Sequence, residues 1–302
     1  MNATPPHALL RPRVALPFLA ISLIWGSTWF VIRGQIDGVP APCSLTYRFL
    51  LATPAMFALA RAMRQPLGLS ARAHLLALMV GLCQFAGNYN LVYLAEMHLT
   101  SGIVAVMIGL MIVPNAVLGS LVLRQPITPR FAIGSAVAIG GIALLLLNEA
   151  QGTKVGVDIT LGAWLAIGAM LAASISNIIQ ANDTGRSVSL LALIAWAMFY
   201  GTIIDGVVAW STVGAPVLPT AGAFWLGTAY LAITGSVVTF PLYYRLIREI
   251  GAGRAAYHNV LVIVVAMVIS TLLEGYRWSA LAIGGAVLAL IGLVIALRAK
   301  SV

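Results

Sequence analysis

Apolar residues run along this chain in ten stretches of roughly 18–23 residues, parted by short polar breaks: about 14–33, 41–61, 73–95, 101–122, 130–147, 160–180, 189–210, 222–244, 254–274 and 278–297. A bilayer's hydrocarbon core is about 30 Å thick, and a helix needs roughly 20 apolar residues to cross it. Each stretch is therefore expected to be a membrane-spanning α-helix. Barrel strands are the poorer reading, because the runs are too long and too uniformly apolar. The breaks carry turn chemistry, as in Gly38-Val39-Pro40, Gln65-Pro66-Leu67-Gly68, Gln125-Pro126 with Pro129, and Gly214 through Pro219. The fifth stretch, 130–147, is short, and no break exceeds about 15 residues. That leaves no room for a soluble catalytic or nucleotide-binding domain.

Composition agrees: 61% of the 302 residues are hydrophobic and 8% charged, with a mean hydropathy of +1.00. Charge adds a direction. Of the 17 Lys and Arg, thirteen fall in alternate breaks, on the side of the N-terminus: Arg11, Arg13, Arg61, Arg64, Arg72, Arg124, Arg130, Arg186, Arg245, Arg248, Arg254, Arg298 and Lys300. The opposite breaks hold Arg33, Lys154 and Arg277, and Arg48 lies inside the second stretch. Positive charge stays cytoplasmic, so both termini are expected inside the cell. The net charge of +9 is then a topology signal. It does not predict a nucleic-acid partner, because the charges alternate between breaks and form no single patch. The first apolar run is too long for a cleaved signal peptide, and nine more follow. Cys43 and Cys83 lack metal-ligand spacing and read as small packing residues, so no metal or cofactor is expected.

The two halves resemble each other. Thr100-Ser101-Gly102 opens an apolar run that is followed by a basic break and Phe131-Ala132-Ile133-Gly134-Ser135-Ala136-Val137. About 150 residues on, Gly251-Ala252-Gly253 opens a run followed by Glu274 through Trp278 and Leu281-Ala282-Ile283-Gly284-Gly285-Ala286-Val287. Five spans per half is an odd number, so residues 151–302 would insert upside down relative to residues 1–150. The expected fold is an all-α polytopic membrane protein, two inverted five-helix repeats around a central cavity, a recurring secondary-transporter plan.

Trp25-Gly26-Ser27, Tyr47-Arg48-Phe49-Leu50-Leu51, the Thr100-Ser101-Gly102 run with Pro114, and the small-residue stretch closing each half together resemble the drug/metabolite transporter superfamily, specifically its ten-helix EamA-type exporters. The resemblance extends over nearly the whole chain and implies a multi-pass protein of a bacterial inner membrane that moves small metabolites outward. YddG-like aromatic amino-acid exporters are the first comparison. The chain departs from the family in Arg124-Gln125, where an acidic residue is common, and in Val264-Val265, where a proline is.

Polar residues at membrane depth mark the expected site, since each needs a partner or water. In the third stretch Gln84 and Asn88 share a face, with Tyr89 and Tyr93 on the adjacent one. Trp25 and Ser27 lie too deep for the interfacial aromatic belt. Trp25, Ser27, Arg48, Gln84, Asn88, Tyr89 and Trp164 are thus the candidate substrate-binding residues. Arg48 either binds a substrate carboxylate or pairs structurally, with Asp205 one such partner. Asp205 and His258 are candidates for a coupling or a structural role, and Pro114 and Pro241 for hinges. Trp210, Trp225 and Trp278, at span ends, read as interface anchors. Small residues at i+4 spacing (Ala132, Ala136 and Gly140; Gly168, Ala172 and Ser176; Gly285 and Ala289) predict close helix packing.

These features favour a secondary transporter alternating access to a cavity, with aromatic or other neutral amino acids as the leading substrates. A multidrug or cationic-metabolite exporter of the same fold is the alternative, and a channel-like pore a weaker one, for want of a filter or charged ring. An enzyme is not expected: the four His are scattered, and neither an HExxH nor a Ser-His-Asp grouping is present. A monomer encloses its own cavity, although small-residue faces also suit a dimer.

Overall fold

A computed structural model describes residues 12–124, 126–152, 158–180, 183–250 and 258–298. Lipid forces the backbone to satisfy itself, and the described residues are helical without strands. We number the long helices α1 (Pro12–Ile36), α2 (Ala41–Ala62), α3 (Ala71–Ala95), α4 (Ser101–Val122), α5 (Pro129–Gly152), α6 (Ile159–Gln180), α7 (Leu190–Val213), α8 (Gly222–Tyr243), α9 (His258–Leu273) and α10 (Ala280–Leu297). Among the described residues nine of these are long and apolar enough to cross a membrane, while α9 is a shorter apolar helix. The expected start of α9 at 254, Gly251-Ala252-Gly253, Arg11, Gln125, Lys154, Arg254 and Lys300 lie outside the described residues.

Several helices begin where a side-chain oxygen takes up an orphan amide. Ser70 Oγ accepts from Ala73 N at 3.3 Å, Asp158 Oδ1 from Leu161 N at 2.9 Å and Ser279 Oγ from Ala282 N at 3.1 Å. The fifth helix corrects its expected length. It runs through Gly152, carrying Asn148 and Glu149 past the end of the apolar run, because both find partners. Asn148 Nδ2 donates to the Tyr276 hydroxyl at 3.3 Å, and Glu149 Oε1 accepts from Thr100 N at 3.0 Å.

Three helices are irregular at mid-depth. α3 widens into a π-helical segment over Gly81–Asn88 and α8 into another over Tyr230–Val238. α4 is interrupted after Gly109 and resumes at Ile112. Pro114 accounts for that break: its ring has no N–H for the Leu110 carbonyl and crowds it, and Val113 N bonds that carbonyl at 2.8 Å instead. Pro241 likewise leaves the carbonyl of Val237, at the end of the α8 π-segment, without its α-helical donor.

Helices pair across the chain's midpoint: α2 with α7, α5 with α10, α1 with α8 and α9, and α6 with α3 and α4. The α5–α10 pair is the tightest. A Cβ on Gly141 would lie 2.3 Å from Ala289 N, and one on Gly292 2.3 Å from Ala138 N, so the backbones meet directly. The face used on α5 is Gly134, Ala138, Gly141 and Leu145. This corrects the expected Ala132, Ala136 and Gly140, which point outward; a Cβ on Gly140 would meet nothing within 4 Å. Gly285 and Ala289 do face α5, and Gly168 approaches Leu91 of α3.

Candidate substrate cavity

The irregular segments surround a cavity of about 210 Å³, roughly ten times or more what a single water needs. Call the face where α1 begins the proximal face and the one where it ends the distal face. Ile32, Arg48 and Val92 line the cavity at its deep end, and Asn177, Gln180, Tyr243 and Asn259 near the proximal ends of α6, α8 and α9.

Beyond its deep end, toward the distal face, the molecule is closed by buried polar contacts. Tyr93 donates to Gln35 Oε1 at 3.3 Å, and Gln35 Nε2 donates to Thr228 Oγ1 at 2.7 Å. Further out, the Arg33 guanidinium donates to the backbone carbonyl of Glu96. The Glu96 carboxyl is fully buried, and neither oxygen has a hydrogen-bond partner. Burial, with repulsion from Glu274, pushes its pKa well above the usual carboxylate range, against an opposing pull from Arg33. This closure went unnoticed in the sequence, because Glu96 reads there as an ordinary acid at a span end.

Of the expected binding residues, Trp25, Arg48, Gln84, Asn88 and Tyr89 line the cavity together. Trp25 Nε1 donates to Gly235 O at 3.1 Å and to Thr239 Oγ1 at 3.0 Å, both on α8. Its ring packs against Phe240, Tyr243 and His258, with centroids 5.2–6.0 Å apart. The π-segment and the turn after it divide the polar face of α3. Gln84 Nε2 donates to Asn88 Oδ1 at 3.3 Å, and Asn88 Nδ2 to Ala169 O of α6 at 2.9 Å. Asn90 turns away and donates to Asp205 Oδ1 at 2.7 Å. π-segments are frequent at functional sites, since the inserted residue re-aims side chains.

Arg48 is 2% exposed. Its Nη2 donates to Ser236 Oγ at 3.2 Å, and the guanidinium carbon lies 4.5 Å from the centroid of Tyr89 and 5.4 Å from that of Phe49. The expected pairing with Asp205 does not form, because Asp205 is held by Asn90 and lies outside the cavity wall. A charge at this depth costs at least about 2.5 kcal/mol, and neither Nε nor Nη1 has a hydrogen-bond partner. The hydroxyls of Tyr89 and Tyr93 stand beside the guanidinium as weaker acceptors, outside strict hydrogen-bond geometry for Nε and Nη1.

The structure does not bring the other two expected binding residues to the wall. Ser27 donates to Ile24 O at 2.8 Å and meets the Tyr230 hydroxyl at 2.6 Å, and it lies behind the cavity lining. Trp164 is 66% exposed on the outer surface of α6. His258 lines the cavity, with its ring 5.0 Å from that of Tyr243. Pro114 and Pro241 sit beside the irregular segments and outside the lining. Trp29, Phe85, Asn177, Gln180 and Phe240 join the wall unanticipated. Three of them left a trace in the sequence: Trp29 is one turn from Trp25, and Asn177 and Gln180 interrupt an apolar run at i+3 spacing.

A family model of EamA-like transporters matches the chain twice, over residues 13–147 and 160–298. The chain belongs to the EamA-like transporter family. Members are membrane transporters of metabolites and carry out no covalent chemistry of their own. An E. coli K12 protein named "Uncharacterized inner membrane transporter YedA" is 29% identical over 88% of this chain and 86% of its own length. Protein PagO of Salmonella typhimurium is 23% identical over the same shares. The E. coli K12 "Probable amino-acid metabolite efflux pump" is 24% identical over 92% of both chains. A chain of known crystal structure shares the fold at a TM-score of 0.66 and 14% identity, covering 94% of this chain and 96% of its own.

Proposed function

We propose that this EamA-family chain is a bacterial inner-membrane exporter of small metabolites, aromatic or other neutral amino acids first. It would act by alternating access through the central cavity. The observation that carries the reading is the mid-depth cavity walled by both halves of the chain and lined by aromatic and amide side chains. Such a wall suits a substrate with an aromatic or aliphatic body and a few polar atoms.

In this reading residues 1–150 and 151–302 are inverted repeats of five helices, ten spans in all, with both termini cytoplasmic. Two features support it. The π-segments of α3 and α8 begin 149 residues apart, at Gly81 and Tyr230, close to the offset of the sequence repeat. The pairing of α6 with α3 and α4 also mirrors that of α1 with α8 and α9, as exchange of two equivalent halves requires. The proximal face is then cytoplasmic, and the cavity reaches toward it while the distal side is closed, which is an inward-facing state. Pro114 and Pro241 are the natural hinges, since each adjoins a broken backbone ladder.

The test is counterflow in proteoliposomes. A transported aromatic amino acid should show saturable flux and trans-acceleration, and Trp25→Ala and Asn88→Ala should each raise KM several-fold. Linear, non-saturating flux would sink alternating access.

A further inference from the structure

The cavity wall is unbalanced in charge and in hydrogen bonding. Among the described residues no Asp or Glu lines it, while Arg48 does. Nε and Nη1 of that nearly inaccessible guanidinium are buried donors without a partner. A third stands on the same wall: Trp29 Nε1 is buried and has no hydrogen-bond partner either. Buried donors without acceptors are rare, and an uncompensated buried charge is rarer. Asp205 is engaged by Asn90. The groups around the guanidinium, Ser236 Oγ on Nη2, the rings of Tyr89 and Phe49 and the hydroxyls of Tyr89 and Tyr93, hold it in place and leave Nε and Nη1 without an acceptor in hydrogen-bond geometry.

We infer that Arg48 is the recognition site for a substrate carboxylate, which supplies the acceptors that the wall lacks. Guanidinium and carboxylate match as a planar two-point pair, which a single oxygen or an amine does not reproduce. The substrate then enters as a carboxylate-bearing molecule, a zwitterionic amino acid or the corresponding acid without its amino group. Its apolar body lies along the aromatic wall of Trp25, Phe85 and Phe240. A purely cationic compound would meet repulsion from Arg48 and satisfy none of the three donors, so the site selects against it. This inference rests on the cavity being the transport site and names what that site recognises.

The test compares four ligands of one shape on the wild-type protein: phenylalanine, 3-phenylpropanoate, phenylalaninamide and phenethylamine. Binding is followed in detergent by quenching of tryptophan fluorescence, and flux by counterflow. We expect the two carboxylates to bind at least tenfold more tightly than the two compounds without one. Arg48→Gln should abolish that preference and Arg48→Lys retain part of it, in samples that elute as the wild type does. Equal binding of phenethylamine and phenylalanine by the wild-type protein would overturn the assignment, whatever the variants do. So would an undiminished preference in Arg48→Gln. Saturable counterflow without a carboxylate preference would leave the transporter standing and this inference refuted. A carboxylate preference in binding without saturable flux would uphold the site and refute alternating access.

Discussion

At the scale of single residues, the buried carboxyl of Glu96 makes a prediction of its own. Its pKa stands well above the usual carboxylate range in this state, because burial and Glu274 outweigh Arg33. Tyr93 also interacts with it, and Glu149 shares the neighbours Glu274 and Arg33. A group that binds its proton more tightly in the closed form stabilises that form fully at pH below its ordinary value. That stability is lost as pH rises through the raised pKa. The distal closure should therefore be firmest in acid and loosen upward from about pH 4.5. Thermal unfolding in detergent between pH 5 and pH 8 checks this. Wild-type stability should fall with pH, and Glu96→Gln, neutral throughout, should flatten the slope. An unchanged slope in the variant would assign the dependence to another group. The same scale explains why sequence reading separated Arg48 from Trp164 poorly. Both are polar-capable residues inside apolar runs, and only the helix's rotation decides that one faces the cavity while the other is 66% exposed.

At the scale of helices, the contact between α5 and α10 brings backbone against backbone at its glycines, so those positions tolerate no side chain. Gly141→Ala brings a Cβ to 2.3 Å from Ala289 N and should destabilise by about 1–3 kcal/mol through overpacking. Gly140→Ala meets open space and should be neutral or slightly stabilising. The pair shares one chemistry and differs only in direction, so melting temperatures in one detergent isolate the packing effect. Equal shifts would mean that α5 does not sit against α10 through this face. Small residues at i+4 spacing announced a close contact on α5, but the chain carries two interleaved sets of them. Periodicity cannot choose between Ala132, Ala136 and Gly140 on one side and Gly134, Ala138 and Gly141 on the other, because steps of three and of four residues both keep to one face of a helix. The partner helix chooses. The proline in α4 was legible together with its consequence, whereas nothing in Gly81–Asn88 announces a π-segment.

At the scale of the molecule, the proposed inward-facing state makes the proximal mouth reachable from the cytoplasm. A cysteine at Asn259, in a protein whose Cys43 and Cys83 are replaced by Ala, should react with a membrane-impermeant maleimide in inside-out vesicles. Bound substrate should protect it. A cysteine at Ile32, at the deep end of the cavity under the closure formed by Gln35, Tyr93 and Thr228, should react slowly from outside until substrate drives exchange. Rapid labelling of the Ile32 position from outside would show that the resting state opens the other way.

The apolar runs by themselves determined that the protein is helical and polytopic and roughly where each span lies, because backbone in lipid must form helices or a closed barrel and the runs are too long and too uniformly apolar for barrel strands. The offset between halves and the alternation of basic breaks were equally sequence properties, and they motivate the inverted arrangement proposed above. Tertiary structure decided what rotation and pairing decide: that α5 meets α10 through glycine, that Asp205 goes to Asn90, and that Arg48 is left with unpaired donors at the deep end of a cavity. A span's position depends on its own composition. The direction of each side chain depends on its neighbours, for Trp25 on one 214 residues away along the chain.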